Sequence, residues 1–254
     1  MGFKIMEEAE RKKRMTNLPS VFLGLNTLER VYGIFQRKTG QFAAACQKGC
    51  SHCCTCNVTL TSLEAAFIFA RLDQAGIEAL EKRISAAKDG PRFRPALTTN
   101  GFAAACMSQD KVPEEENDPS WGPCPLLENG MCSIYPVRPL GCRNMVSKSS
   151  CGKTGYADMP PMALTLNNLF LQYVEGMDTC GFSGNLTDML DLYITAGAAV
   201  GPGGSAPLYL SFEKLQDFDK KGVFIGNRPV PAWMIPPEHR DVAVPVLKEL
   251  NTAG

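Results

Sequence analysis

The chain has only two histidines, His52 and His239, so a histidine-rich catalytic site has little to draw on. Lys plus Arg number 26 and Asp plus Glu 26, so there is no surplus of either sign. Proteins that grip nucleic acid through its phosphates carry a basic excess, and its lack removes nucleic acid as a default partner. No stretch approaches the ~18 to 20 consecutive apolar residues of a membrane span. The opening MGFKIMEEAERKKRM lacks the apolar run of a secretion signal and reads as a solvated helix or a frayed arm. These gaps point to a soluble, cytoplasmic protein with no membrane partner. Strand-like runs are few, and there is neither an internal repeat nor the βα alternation of a parallel sheet.

What is present begins with a core. Hydrophobic residues make up 44% of 254, enough for one large domain or one domain with extensions. Helical apolar spacing recurs. A first helix is expected over residues 26–45, with Leu28, Val31, Tyr32 and Phe35 as its stripe and Asn26 and Glu29 resembling an N-cap and its N3 carboxylate. A second begins at TLTSLEAAFIFARL, where Thr61 and Glu64 form a capping box and Leu63, Ala66, Phe67 and Ala70 share a face. Ile77, Leu80 and Ile84 mark a short amphipathic helix, and residues 100–107 another helical piece.

Residues 108–160 are instead rich in Pro, Gly, Asp and Cys, with little periodicity. So long a loop inside a domain needs something to order it, and metal ligation does so without a wide apolar face. Helical spacing returns at Leu166, Leu169, Phe170, Tyr173, Val174 and Met177, with Gly181 as the expected stop. Asn185 then caps a helix with Leu186, Met189, Leu190 and Tyr193 inward and Gly197 as its stop. The expected architecture is mainly α: an arm over 1–25, a single helical domain with an irregular cysteine-rich metal-binding centre over 26–200, and a Pro-rich arm over 201–254 packed on it.

Eleven cysteines in 254 residues fall well below the ~8 to 10% of a disulfide scaffold, and their odd number forbids complete internal pairing. In a reducing compartment, clustered thiols point to metal. One group is Cys46, Cys50, Cys53 and Cys54, spaced C-x3-C-x2-C-C, with Cys56 just beyond as a spare ligand or a free thiol. The other is Cys124, Cys132, Cys142 and Cys151. Thiolates are soft ligands that suit zinc and iron–sulfur centres. If Cys53 and Cys54 are extended, their side chains point to opposite sides and serve two centres; otherwise a tight turn wraps them around one cluster. Cys106, on an apolar run, and Cys180, near a helix end, read as core.

These motifs carry a resemblance. C-x3-C-x2-CC, then TLTSLEAA, then CPLLENGMCSIYPVRPLGCR is similar to the YkgJ-type cysteine-cluster family, described as a zinc- or iron-chelating domain. The match covers about residues 46–151. It implies Cys46, Cys50, Cys53, Cys54, Cys124, Cys132 and Cys142 as ligands; Cys151 joins them from its clustering, since a late cysteine varies in position among such proteins. It implies metal binding and no particular reaction, because related domains occur alone and also beside a flagellin lysine N-methylase activity. The spacing of Cys46, Cys50 and Cys53 also resembles that of radical S-adenosylmethionine enzymes. Such enzymes usually place an aromatic residue where this chain has His52, and their cysteines follow a strand of a βα barrel.

Arg138 and Arg143 flank Cys142, and either offset the charge of a multi-thiolate centre or pair with nearby carboxylates. Tyr135 and Pro136 pack and turn the loop. His52 could replace a thiol on zinc or stand solvated beside the site, and His239 reads as a surface residue. GPGGS at 201–205 lacks the preceding strand and following Lys-Ser/Thr of a phosphate loop. The acidic run at 114–118 reads as solvated. The expected function is to hold an iron–sulfur cluster, four-iron by preference, or zinc, through the two cysteine groups. The alternatives are a structural-zinc interaction protein whose tail recruits a protein partner, and a cluster-dependent enzyme transferring a group to a protein side chain.

Overall fold

A computed structural model of the chain describes residues 8–43, 45–196, 210–215 and 222–252. Helix α1 (Glu8–Thr39) leads by an irregular loop to strand β1 (Thr59–Thr61), which runs straight into helix α2 (Ser62–Arg71). Thr61 Oγ1 accepts from the Glu64 N–H at 3.2 Å while the Thr61 N–H donates to Glu64 at 2.9 Å, the reciprocal cap expected from the sequence. Helices α3 (Gln74–Ala87) and α4 (Thr99–Ser108) follow, capped by Asp73 and Thr98. The next segment holds strands β2 (Leu127–Glu128) and β3 (Met131–Cys132) and short helices α5 (Leu140–Arg143) and α6 (Cys151–Thr154). Asn129 and Gly130, both at positive φ, join β2 to β3 as the two-residue turn of a tight hairpin.

Helix α7 (Pro161–Met177), strand β4 (Phe182–Asn185) and helix α8 (Leu186–Thr195) repeat the strand-into-helix plan, with Asn185 accepting from the Thr187 N–H. Helix α9 (Phe212–Leu215), strand β5 (Ile225–Gly226) and helix α10 (Arg240–Asn251) complete the described elements. Strand β4 pairs antiparallel with both β1 and β5, placing Leu60 opposite Gly184 and Ser183 opposite Ile225. The protein is therefore mainly α-helical, with a small three-stranded sheet at the start of α2 and α8.

The expected helical faces form one core. Leu28, Val31, Tyr32 and Phe35 of α1 are buried with Phe67 and Ile68 of α2, Leu166, Leu169 and Phe170 of α7, and Met189, Leu190 and Tyr193 of α8. Phe35 meets Phe170 edge-on at 5.1 Å and Tyr32 meets Phe67 at 5.5 Å, each buried ring contributing roughly 1.5–3 kcal/mol. Ile77, Leu80 and Ile84 also face inward, as their spacing requires.

Four expectations are corrected. The first helix does not begin at Asn26: the turns continue upstream to Glu8, Asn26 lies exposed in mid-helix, and Glu29 pairs with Arg71 at 2.6 Å instead of capping. It also stops early, at Thr39 before Gly40, where Thr39 Oγ1 donates to the Phe35 carbonyl. Cys106 and Cys180 are exposed rather than core. Helix α4 docks on α7 through its first turn, where Asn100 donates to the Gln172 carbonyl, so Cys106 overhangs; Cys180 uses only its backbone, accepting from the Phe212 N–H. Finally, α7 ends at Met177, and Gly181 instead lets the Ser62 hydroxyl approach the backbone. Gly197 and GPGGS lie outside the described residues.

The tail holds more order than its prolines suggest. Trp233 stacks on Tyr173 at 6.5 Å, Gln172 bonds to the backbone at Ala232 and Met234, and α10 buries Ala243, Val246 and Leu250 against α1 and α7. His239 is half-buried, its Nδ1 2.7 Å from Thr165 Oγ1. No described helix is long and apolar enough to cross a membrane.

Among the described residues, one ion pair is buried. Arg92 and Asp188 expose 3% and 7% of their side chains and meet at 2.9 Å, with Arg94 on the same carboxylate at 3.0 Å. Burial pushes the Asp188 carboxyl up, but the two guanidinium groups outweigh it and hold it below the usual range. A depressed carboxylate stabilises the fold above its unfolded pKa of about 3.9, and that contribution is lost as pH falls through the folded value. Asp188→Asn should leave Arg92 buried without its counter-charge. Urea titration should then give a loss of about 3–5 kcal/mol at neutral pH, with a shallower decline on the acid side than the parent.

Candidate functional site

The cysteine loop after α1 is a run of tight turns. The Cys50 N–H donates to the Gln47 carbonyl and the Cys54 N–H to that of Ser51, both at 3.0 Å; the Thr55 N–H then folds back onto the Cys53 carbonyl. The adjacent cysteines are therefore in consecutive turns rather than an extended pair. The loop is anchored at both ends. Ala45 donates to the Ser147 carbonyl, the Ser147 N–H donates to Cys46 Sγ at 3.2 Å, and the Cys124 N–H donates to the Cys54 carbonyl at 2.9 Å.

The second group arrives on the hairpin and on α5. Cys132 pairs with Leu127, whose N–H caps the Cys124 carbonyl, and Cys142 lies one residue after Gly141. A Cβ on Gly141 would stand 2.6 Å from the Thr59 carbonyl oxygen, so only glycine lets α5 lie this close to β1. Glu64 fixes that approach. It is 2% exposed, and besides its cap at Thr61 it accepts from the Leu140 N–H at 2.7 Å and from Tyr32 Oη at 2.9 Å. Burial pushes its carboxyl above the usual range, against the hydrogen bonds it accepts.

These anchors bring Cys46, Cys50, Cys53, Cys54, Cys124, Cys132 and Cys142 around one cavity of about 150 Å³ between the end of α1 and the 124–146 segment. Cys151, at the start of α6, is not among the residues lining it, and its neighbour Gly152 abuts the His52 ring. Cys56 lies off the cavity, with its thiol 3.4 Å from Asn57 Oδ1. Among the described residues, no group of three or more His, Cys, Asp or Glu side chains is arranged to hold a single metal ion.

The electrostatics of the cavity belong to thiols and arginines. Burial pushes Cys124 up to about 11 and Cys142 higher still, and it also raises Cys46 and Cys132. The neighbouring Cys54 thiol, together with burial, drives Cys53 far up, and the same pairing holds Cys54 below the ordinary thiol range against its own burial. Arg138 and Arg143 both line the cavity, and no carboxylate pairs with either among the described residues. Arg138 lies over the Tyr135 ring at 3.9 Å, with its buried Nε lacking a hydrogen-bond partner. Arg143 lies over Tyr32 at 4.2 Å and donates to the carbonyls of Arg138 and Pro136. Tyr135 and Pro136 thus turn the loop and seat these cations.

The donor set fits a thiolate-ligated metal: many soft donors, two guanidinium groups to offset their charge, and one cationic N–H without an acceptor. His52 is exposed and outside the cavity lining. Of the acidic run, Glu114 and Glu116 are exposed, whereas Asn117 and the Asp118 carbonyl accept from Asn57 and tie the run to the cysteine loop. Sequence reasoning identified Glu64 only as a cap. Its bonds to Tyr32 and Leu140 span 32 and 76 residues and left no local signal.

No protein-family model matches this chain, and the curated proteins and the solved structures likewise give no match.

Two outcomes follow. In the metal-free protein at pH 7.5, iodoacetamide should modify Cys54 ahead of Cys53, read by peptide mass spectrometry, because only the thiolate reacts and Cys53 keeps its proton. Glu64→Ala should strand the buried Leu140 N–H and Tyr32 O–H at ~1–3 kcal/mol each, lowering the urea midpoint and speeding alkylation of Cys142.

Proposed function

We propose that the protein binds metal through its two cysteine groups, as an iron–sulfur protein ahead of a zinc protein. The observation that carries this reading is the cavity: seven thiols from segments up to 96 residues apart (Cys46 and Cys142) line it together with Arg138 and Arg143. Cysteines acting only as small hydrophobes would be spread through the core, whereas Cys106 and Cys180 lie exposed and the clustered ones ring a space. The size of that space favours a cluster. Tetrahedral zinc, with Zn–S near 2.3 Å, draws sulfurs to about 3.8 Å from one another. A ring of seven thiols around about 150 Å³ suits a polynuclear centre better. Such a centre would supply electron transfer or a Lewis-acidic site. The chain's own part is to give up thiol protons, exclude bulk water and offset thiolate charge with arginine. The motif resemblance to the YkgJ-type family accords with this reading, as does a reducing, cytoplasmic compartment in which the thiols stay unpaired.

A second reading, cluster-dependent group transfer, is favoured by a separate half-open cavity of about 290 Å³. The two meet at the first strand: Val58, the residue before it, lines the thiol cavity, and Thr59, Leu60 and Thr61 line the other beside Glu175, Asn168 and Phe102. A saturable rise in melting temperature with S-adenosylmethionine would support a donor site there, and no shift would count against it.

Purification without oxygen, followed by metal and acid-labile sulfide analysis and a visible spectrum, tests the main reading. Iron with matching sulfide and broad visible absorption is the expected result. Stoichiometric zinc without sulfide would make the site structural and closed. Neither metal would overturn the reading.

A further inference from the structure

We propose that the cavity of about 290 Å³ beside β1 binds a small organic cation: an ammonium group on an apolar or aromatic stem, carrying neither phosphate nor carboxylate. The inference concerns this cavity alone. It rests neither on metal among the thiols nor on the donor-site reading above.

The charge of the lining sets the class. Glu64, Glu115 and Glu175 line the cavity, and among the described residues no Lys, Arg or His does. Arg94, next to Phe93 in the chain, is held by Asp188. Arg228 meets Glu175 through its backbone N–H, and its charge favours that carboxylate, but the residue is exposed and outside the lining. An anion would seek free N–H groups at a helix N-terminus. Those at the head of α4 are taken, Asn100 donating to Glu175 at 2.7 Å and Gly101 to Thr98 Oγ1 at 3.0 Å. Glu64 is filled by Tyr32, Thr61 and Leu140, which leaves Glu115 and Glu175 to balance a ligand's charge. Backbone N–H groups hold both in place, that of Ala96 on Glu115 and those of Asn100 and Arg228 on Glu175, and carboxylate oxygens keep further lone pairs.

The walls set the rest of the ligand. Leu60 of β1, Phe102 of α4, and Leu171 and Val174 of α7 line the cavity together with Phe93. Among the described residues, neither phenylalanine has a ring or a cation stacked on it. Phe102 is 41% exposed, so its ring is open to a ligand. A cation over an aromatic face is attracted by the ring quadrupole, and an anion is not. Asn168 on α7 is half-buried, and its side chain makes no hydrogen bond among the described residues, so its amide oxygen is free to accept from an ammonium group. The volume lies at the lower end of the roughly 300–1,000 Å³ of small-molecule sites, which limits the ligand to a small amine.

The test is calorimetric titration of the full-length protein with phenethylammonium, hexylammonium, phenethyl alcohol and phenylacetate. Both ammonium probes should saturate a single site, the alcohol should bind at least about tenfold more weakly, and phenylacetate should not bind. Glu175→Gln should weaken the ammonium probes about tenfold and leave the alcohol unchanged. Glu115→Gln and Phe102→Ala should each weaken them about threefold. Glu115 and Phe102 are exposed, so these two variants decide the matter if Glu175→Gln fails to fold by circular dichroism. Failure of both ammonium probes to bind overturns the proposal, as does equal binding of charged and neutral probes or phenylacetate binding as tightly as the amines. Amine binding that Glu115→Gln and Phe102→Ala leave unchanged lies elsewhere and overturns it too. An amine response without one to S-adenosylmethionine supports the cation site and removes the donor site, whereas the reverse overturns the cation site.

Discussion

The Glu64 carboxylate sits where three segments must meet, and the shape of the cavity follows from that meeting. Its oxygens satisfy the N–H of Thr61, the N-cap of α2, the hydroxyl of Tyr32 on α1 and the amide of Leu140 at the head of α5. A buried carboxylate is costly unless its lone pairs are taken up, so each of these donors stabilises the others' placement. Two residues past Leu140 lies Cys142, and the Tyr32 ring that faces Glu64 through its hydroxyl also carries Arg143 on its face. One helix cap thereby fixes a thiol and a cation of the site.

Around that anchor the cavity is lined by buried thiols and by two arginines. Thiols withdrawn from water keep their protons, and their mutual repulsion adds to that preference. On the proposed metal-binding reading, binding would release these protons and make affinity depend on pH. The two arginines are placed by stacking on Tyr135 and Tyr32, and Arg143 also by carbonyl acceptors. The same logic explains how residues 108–160 can be irregular and still ordered. The segment contributes Leu126, Ile134 and Leu140 to the core, and its remaining order comes from the hairpin, the arginine stacks and the bonds to the cysteine loop.

Much of the scaffold was legible in the sequence because it is local. A helical face repeats every three to four residues, so Leu28–Phe35, Ile77–Ile84, Leu166–Val174 and Leu186–Tyr193 declared their buried sides. The Thr61–Glu64 and Asn185 caps were readable for the same reason: donor and acceptor lie within three residues. The failures were also local in cause. Asn26 with Glu29 copied a capping pattern within a longer helix, and Cys106 shared an apolar run whose last turn no neighbour covers.

The sequence by itself determined the mainly helical class, the faces that pack and the two clusters of thiols, because spacing along the chain carries periodicity and ligand type. Only the tertiary structure decided that the clusters share a cavity, that Cys151 lies outside its lining, that Cys53 and Cys54 occupy turns, and that Arg138 and Arg143 line the cavity stacked on tyrosine rings. Each of these depends on contacts that bridge tens of residues, such as Ser147 with Cys46 or Leu140 with Glu64. Such pairs leave no periodic trace in the chain and exist only once the core has closed around them.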